Sequence, residues 1–263
     1  LPYYLRTDQQ AGYFGGLPGP LAGFWRAPAC GTVPSCAGVL GPNNPSTNLT
    51  FVNPMPAVQS TVKVPMLVTV PNNQPMPAAG WPVVIYQHGI TRNRGDALAL
   101  STTMAQLGYA VVAIDLPLHG VTPSDFNPAL NPAANPALAQ LYAPAGVNPV
   151  LFPGMRERTF DVDYVNNATG ASGPDGIIDT SGTHFINLGS LLSSRDNLRQ
   201  GIADLFALRA SLPNMVIAGT GQRFDAGRVA FVGQSLGGIV GGGFASYEPN
   251  VPVFALSVPG GGI

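Results

Sequence analysis

One serine of this chain stands where an apolar run gives way to glycines, in the sequence Gly233-Gln-Ser-Leu-Gly237. The pattern predicts a short buried strand over residues 229–232, a sharp turn at Ser235 and a helix from about Gly238. A Cβ at either flanking glycine would clash with the neighbouring strand or helix as the backbone turns. Such a turn projects the serine oxygen above the sheet, so Ser235 is predicted to be a nucleophile.

A nucleophilic serine also needs hydrogen-bond donors for the negative charge that develops on the attacked carbonyl oxygen. The sequence predicts two such donors, both of them backbone N–H groups. One belongs to Leu236, directly after the serine, and the other to Ile90, in the loop His88-Gly89-Ile90 that follows an apolar strand.

The three histidines and the acids are poorly placed to complete a catalytic triad. In hydrolases with this kind of serine turn the acid and the histidine follow the serine in the chain, whereas His88, His119 and His184 all precede Ser235. We interpret His88 and His119 as loop-shaping residues at strand ends and His184 as a surface or lid residue. Glu248 is the only acid after the serine, and its position favours a helix end over a triad.

The strands and helices that must position these residues are predicted to alternate along the chain. Apolar runs predict buried strands at residues 81–89 and 109–115, and a further strand at 251–258. One helix is predicted to begin with Asp96 as its N-cap, and another to begin at Ser193. This order predicts an α/β fold with a mainly parallel sheet and helices on both faces.

Residues 1–60 differ from the rest of the chain in being crowded with proline, glycine and asparagine. They predict an irregular arm attached to a core of residues 61–263. Within the arm, Cys30 and Cys36 are separated by a spacer that can turn back on itself, so they form either a disulfide or two free thiols. The close pair favours the disulfide, and with it a secreted or extracytoplasmic setting.

A long stretch between Leu118 and Leu188 interrupts the alternation of strands and helices. It holds three Asn-Pro-Ala repeats, and a loop this long inside a compact domain is typically functional. We interpret residues 119–190 as a lid or cap insertion, and we expect it to offer a contact with a membrane surface. Its apolar side chains are predicted to line an acyl site: Leu130, Leu138, Leu141, Tyr142, Leu151 and Phe152.

Four acidic residues of this insertion are closely spaced: Asp161, Asp163, Asp175 and Asp179. Clustered carboxylates with a turn glycine resemble a calcium loop, although the spacing is not that of an EF-hand. Asx turns in a polar loop account for the same pattern. The sequence therefore leaves a structural calcium ion as one of two interpretations, and the chemistry expected at Ser235 requires no cofactor.

The composition argues against two other functional classes. Charged residues make up 10% of the chain and the formal net charge is −1, so no basic surface is available to bind nucleic acid. No apolar run approaches the roughly 18 residues of a membrane span. The predicted partner is therefore a small-molecule substrate.

Four segments in this order carry a resemblance to a known family: Tyr86–Arg94, Asp115–Gly120, His184–Gln200 and Gly233–Gly238. Over roughly residues 62–260 the chain resembles the bacterial virulence-factor-lipase type of α/β-hydrolase, a group of secreted or surface-anchored esterases and lysophospholipases. The resemblance implies hydrolysis of carboxylic esters, lipids included, through an acyl-enzyme on Ser235. The family's acid, histidine and last strands have no counterpart in this sequence, so we expect a missing C-terminal segment or a docked second fragment to supply them.

Two alternatives stay open. The serine turn alone does not separate ester from amide chemistry, so a peptidase or amidase on the same fold is the second interpretation. Since no histidine follows Ser235, a non-catalytic hydrolase-like module is the third.

Overall fold

The computed structural model describes residues 1–8, 11–13, 17–126, 128–129 and 156–260. The chain divides into two compact units. The first comprises Leu1–Val62 and Ile186–Gln200, and the second comprises Lys63–Phe185 and Gly201–Ile263. The candidate nucleophile and both predicted oxyanion donors belong to the second unit.

The Leu1–Val62 segment of the first unit consists of short elements. They are strands β1 (Pro2–Tyr3), β2 (Ala11–Tyr13), β3 (Leu17–Pro18) and β4 (Ser60–Thr61), and helices α1 (Gly19–Ala22) and α2 (Pro34–Leu40). Strand β1 pairs with β4, and β2 with β3, both antiparallel. Cys30 and Cys36 form a disulfide with a Cα–Cα distance of 5.2 Å, which confirms the predicted pairing. Pro34 begins the helix that carries Cys36, and its fixed φ suits a first helical position.

A buried carboxylate joins the two segments of this unit. Asp196 accepts a hydrogen bond from the Trp25 amide at 2.9 Å. Arg195 and Arg199 donate to the same carboxylate at 2.8 and 3.1 Å. Because the Asp196 side chain is fully buried, these donors are needed to keep its charge in place.

The second unit is built on one sheet whose central strands are the most apolar runs of the chain. Its strands are β5 (Met66–Thr69), β6 (Trp81–Gln87), β7 (Ala110–Ile114), β8 (Val216–Ile217), β9 (Gln222–Gln234) and β10 (Val253–Ser257). Their order is β10-β9-β6-β7-β5, with β8 beside β9. Strands β10, β9, β6 and β7 are parallel, whereas β5 and β8 are antiparallel to their neighbours. Every residue of β6 and β7 is buried, as expected when both faces of a sheet are covered.

Helices cover both faces of this sheet. The longer helices among the described residues are α3 (Leu98–Gln106), α4 (Leu191–Ser211) and α5 (Leu236–Ala245). Leu100 of α3 and Val232 of β9 both pack against the buried cluster that contains Val84 of β6. Phe231 projects to the other side, since side chains alternate along a strand, and its ring lies 5.7 Å from that of Phe244 in α5. The predicted mainly parallel sheet with helices on both faces is therefore confirmed.

The start of α3 differs from the sequence prediction. Asp96 is predicted as the N-cap, but a 3-10 turn at Arg94–Ala97 precedes the α-helix. The capping residue is Asn93, whose side-chain oxygen accepts a hydrogen bond from the Gly95 amide at 2.9 Å. Asp96 is instead paired with Arg92, so its carboxylate serves an ion pair rather than a helix terminus.

The predicted insertion is described in part. The structure covers residues 119–126, 128–129 and 156–190 of it, and the six apolar side chains predicted to line an acyl site, from Leu130 to Phe152, lie outside the described residues. Among the helices that are described, none is both long and apolar enough to cross a membrane.

Gly241→Ala tests the close packing of α5 on the sheet. A Cβ at this position would lie 2.9 Å from Cζ of Phe231 and 3.0 Å from Cδ2 of Leu256. Because a fully buried ring has little room to move, we expect the substitution to lower the free energy of unfolding by about 1–3 kcal/mol. Chemical denaturation measures this difference.

Gly242→Ala in the same helix is the matched control, since nothing lies within 4 Å of a Cβ built there. The higher helix propensity of alanine is expected to raise stability by up to about 1 kcal/mol. Equal effects of the two substitutions would contradict the packing of α5 described above.

Candidate active site

Ser235 lies at the junction of β9 and α5, where the backbone is strained. Its φ of 51° and ψ of −116° belong to a region that residues other than glycine rarely adopt. The Ser235 amide donates to the Ser257 carbonyl of β10 at 2.8 Å, and the Gly238 amide donates to the Ser235 carbonyl at 2.8 Å. These hydrogen bonds hold the turn, so the surrounding structure maintains a conformation that the residue alone would avoid.

Two glycines make room for this turn. A Cβ built on Gly233 would lie 2.7 Å from the carbonyl carbon of Gly237, and one built on Gly237 would lie 2.6 Å from the carbonyl oxygen of His88. Both obstacles are backbone atoms, which cannot swing aside as the end of a flexible side chain can. The serine turn therefore packs closely between its own helix and the loop after β6.

That loop runs directly past Ser235. A Cβ built on Gly89 would lie 3.3 Å from Cβ of Ser235 and 3.8 Å from its Oγ. Ile90 is the next residue, and the Arg92 amide closes the loop by donating to the Gly89 carbonyl at 3.3 Å. The structure therefore brings the segment that carries one predicted oxyanion donor next to the candidate nucleophile.

The two predicted donor groups are not used in hydrogen bonds within the described residues. Leu236 is the first residue of α5, so its N–H has no partner within the helix. No described residue accepts a hydrogen bond from this group or from the Ile90 N–H. Two N–H groups of this kind beside a serine are what an oxyanion hole requires.

His88 supports the loop from the inside. Its Nε2 accepts a hydrogen bond from the Leu116 amide at 3.1 Å, so the ring proton resides on Nδ1. Nδ1 then donates to the Gly89 carbonyl at 2.7 Å. Burial lowers the pKa of His88 against the opposing effect of Asp115, which keeps the ring neutral in this tautomer. Both ring nitrogens are used, and neither is left for Ser235.

The other two histidines also have partners away from the serine. His119 Nδ1 donates to the Pro117 carbonyl at 2.9 Å, and burial lowers the pKa of His119 to about 3. His184 Nε2 lies 2.5 Å from Oδ2 of Asp179. In the part of the chain that the structure describes, no hydrogen bond joins a histidine to Ser235 Oγ.

A buried ion-pair network, which the sequence analysis did not identify, lies behind this loop. The Asp115 carboxylate accepts a hydrogen bond from the Arg94 amide at 2.6 Å and is paired with the Arg94 guanidinium. The same guanidinium makes two hydrogen bonds to Glu157, at 2.8 and 2.7 Å. Arg158 donates to the Asp115 carbonyl at 2.5 Å and to the Asp204 carboxylate at 2.6 Å.

The central charges of this network depend on each other. Burial opposes the charge of Asp115, but the Arg94 guanidinium outweighs burial and lowers the pKa of that carboxyl. Burial opposes the charge of Arg94 as well, yet Asp115 and Glu157 raise its pKa above the usual value. Both groups therefore stay charged in the interior, each because the other is present.

The loop after β6 is also tied to the described parts of the 119–190 insertion. Ser181 Oγ donates to the Arg92 carbonyl at 2.7 Å, and Asn93 Nδ2 donates to Asp125 Oδ1 at 3.2 Å. Arg94 is paired with Glu157, which also belongs to this insertion. Three consecutive residues are thus held by three different parts of the insertion, which restricts the position of the loop beside the serine.

The sequence contains a partial signal for this network. Asp115 directly follows the apolar run of β7, and a carboxylate at the buried end of a strand requires a partner. Which arginine supplies that partner is decided by loops that bring distant segments together, and local sequence patterns do not indicate it.

The four carboxylates predicted as calcium ligands are each engaged by other groups. Asp163 and Asp175 each accept hydrogen bonds from two backbone amides, at 2.7 to 3.0 Å. Asp179 accepts from two further amides, and Asp161 is paired with Arg156. Among the described residues, no group of three or more His, Cys, Asp or Glu side chains could hold a metal ion. These contacts match the interpretation as a polar loop with Asx turns, and calcium binding by the four carboxylates stays a prediction.

A serine turn between a parallel strand and a helix, with the loop of the neighbouring strand beside it, is the arrangement of the α/β-hydrolase fold. No protein-family model and no curated protein matches the chain.

Solved structures resemble the chain over part of their length. An acetyl xylan esterase from a Paenibacillus species has a TM-score of 0.41 at 20% identity, covering 74% of this chain and 44% of that one. A ferulic acid esterase from Streptomyces cinnamoneus has a TM-score of 0.38 at 20% identity, covering 68% and 36%. The chain spans less than half the length of each, and neither likeness assigns it to a family.

Asp115→Asn is expected to destabilise the protein strongly. The substitution removes a carboxylate that neutralises the buried Arg94 guanidinium, and breaking a buried ion pair typically costs about 3–5 kcal/mol. Asp161→Asn is the control, because that carboxylate and its partner Arg156 are largely exposed and such pairs contribute about 1 kcal/mol or less. Similar losses in chemical denaturation of the two variants would show that the buried pair has no special role.

Removal of calcium is expected to leave the melting temperature unchanged, because the four carboxylates already have donors within the protein. A bound ion at a hundredfold excess over its Kd would add about 2.7 kcal/mol of stability. Thermal unfolding is measured in EGTA and in calcium chloride. A lower melting temperature in EGTA that added calcium restores would instead establish a bound calcium ion.

Proposed function

We propose that the protein hydrolyses carboxylic esters through a covalent acyl-enzyme on Ser235, as a serine esterase or lipase. The observation that carries this proposal is the strained turn of Ser235. Strain of this kind persists where the surrounding structure enforces it, and it is concentrated at functional positions. The Gly89–Ile90 loop beside the serine Oγ supports the same conclusion.

The first half of the reaction transfers the acyl group to the serine. The Ser235 oxygen forms a bond to the ester carbonyl carbon, and its proton passes to a general base. The negative charge moves to the carbonyl oxygen, where the N–H groups of Ile90 and Leu236 would stabilise it. Collapse of this intermediate breaks the bond to the alcohol, which leaves with the proton. Water then attacks the acyl-enzyme in the same manner, releases the acid and regenerates the serine.

The general base is not one of the three histidines of this sequence in the proposed mechanism. His88 uses both ring nitrogens within its own loop, His119 is buried with a pKa of about 3, and His184 is paired with Asp179. The resemblance to virulence-factor lipases implies that the base and its acid come from a further segment or a docked fragment.

The proposed setting is extracytoplasmic, with an ester or lipid as substrate. The disulfide between Cys30 and Cys36 supports this location, because disulfides persist in oxidising compartments.

Ser235→Ala in the full-length protein is expected to lower kcat/KM for p-nitrophenyl butyrate by about 10³-fold or more, because it removes the atom that forms the acyl-enzyme. A fluorophosphonate probe should label the wild-type protein at Ser235 and leave the variant unlabelled. Mass spectrometry of the labelled peptide identifies the position. Undiminished hydrolysis by the variant would overturn the proposal.

His184→Gln is the control, because this histidine contacts Asp179 rather than the serine. The esterase activity of this variant should remain near that of the wild-type protein. Loss of activity in this variant would instead identify the His184–Asp179 pair as the base. Faster cleavage of an aminoacyl anilide than of the p-nitrophenyl ester would assign amidase chemistry to the same serine.

A further inference from the structure

A cavity of about 610 Å³ lies beside the serine turn and has no part in the reaction steps above. It is bounded by the end of β6, the turn that precedes α3, and Gln234, the residue directly before Ser235. Arg92, which also lines it, closes the loop that contains Ile90. Two parts of the lining are therefore continuous with the two segments that would bind the reacting carbonyl.

One part of the lining is a neutral hydrogen-bonded pair. The Tyr86 hydroxyl donates to Oε1 of Gln234 at 3.0 Å, which leaves the Gln234 amide nitrogen as a donor and the phenol oxygen as an acceptor. Burial raises the pKa of Tyr86 to about 12, so the phenol stays uncharged at neutral pH.

Another part is a closed ion pair. Nε and Nη2 of Arg92 donate to the two carboxylate oxygens of Asp96 at 2.8 and 2.6 Å. In this two-pronged contact the charges cancel, while the remaining N–H groups and oxygen lone pairs stay available. Ala99 and Leu100 supply the aliphatic side chains of the lining.

We propose that this cavity binds the hydroxyl-bearing part of the ester substrate, a neutral polyol such as a sugar or glycerol. The inference rests on the proposed esterase function and names the substrate class of that site. Hydroxyl groups donate and accept hydrogen bonds at once, as the lining requires. An alkyl chain would leave the Gln234 amide nitrogen and the second lone pair of the Tyr86 oxygen without partners, and an anion would be repelled by the Asp96 carboxylate beside Arg92.

Binding is tested in the Ser235→Ala protein, so that the result does not depend on catalysis. Saturation-transfer NMR is measured with glucose and with glycerol as separate probes. Contact with at least one of them is expected, and the probe that binds shows whether the polyol is a sugar or glycerol. The contact should disappear when Tyr86→Phe and Arg92→Met are added. If the combined variant does not fold, the single substitution Tyr86→Phe is measured instead, and it should weaken the polyol contact.

Thr102→Ala is the matched control, because Thr102 lines a different cavity, of about 400 Å³ and also beside α3. It should leave polyol contact unchanged. Absence of contact with both polyols, contact that survives the Tyr86 and Arg92 substitutions, or stronger contact with acetate than with either polyol would overturn the inference.

Kinetics of the active protein separate this inference from the proposed function. We expect kcat/KM for monoacetylglycerol or acetylated glucose to exceed that for ethyl acetate by about tenfold, the effect of one or two hydrogen bonds. The preference should be lost in Tyr86→Phe with Arg92→Met and kept in Thr102→Ala. Polyol contact without ester hydrolysis would refute the esterase and leave the binding site. Hydrolysis without preference or polyol contact would refute the binding site alone.

Discussion

The buried ion pair between Arg94 and Asp115 is the interaction on which the candidate site depends most. Asp115 directly follows β7, and Arg94 opens the turn before α3, so the pair fixes two loops at the carboxyl ends of neighbouring parallel strands. Ligand sites of open α/β sheets form at this edge. Since each charge would be unfavourable in the interior without the other, the loops are held in one arrangement rather than in a range of them.

The serine turn likewise depends on contacts with several neighbouring segments. Ser235 keeps a backbone conformation that costs about 1–3 kcal/mol, and no single neighbour offsets this cost. Glycines at 233 and 237 let the backbones of β9, α5 and the loop after β6 approach one another. His88, in a fixed neutral tautomer, holds that loop from within. Strain, close backbone contact and buried hydrogen bonds therefore act on the same few residues.

Local sequence patterns predict the elements that dominate this unit and miss what depends on distant contacts. The apolar runs of β6 and β7 and the turn at Ser235 are encoded within a few residues, so the pattern alone finds them. Asp96 illustrates the limit: it has the right type for a cap, but Arg92 pairs with its carboxylate and Asn93 caps the turn instead. Asp163, Asp175 and Asp179 show the same limit, because their spacing suits an ion while they accept hydrogen bonds from backbone amides that no spacing rule reveals.

The hydrogen bond from the Ser235 amide to the Ser257 carbonyl gives β10 a share in the nucleophile's geometry. This strand ends the described order of the sheet, and most of its side chains are exposed. Strands of this kind open locally at a lower free energy than the centre of a sheet. Each such opening would release the serine amide to exchange its hydrogen with solvent. The geometry of the serine turn then depends on the local opening equilibrium of β10 as well as on the global stability of the fold.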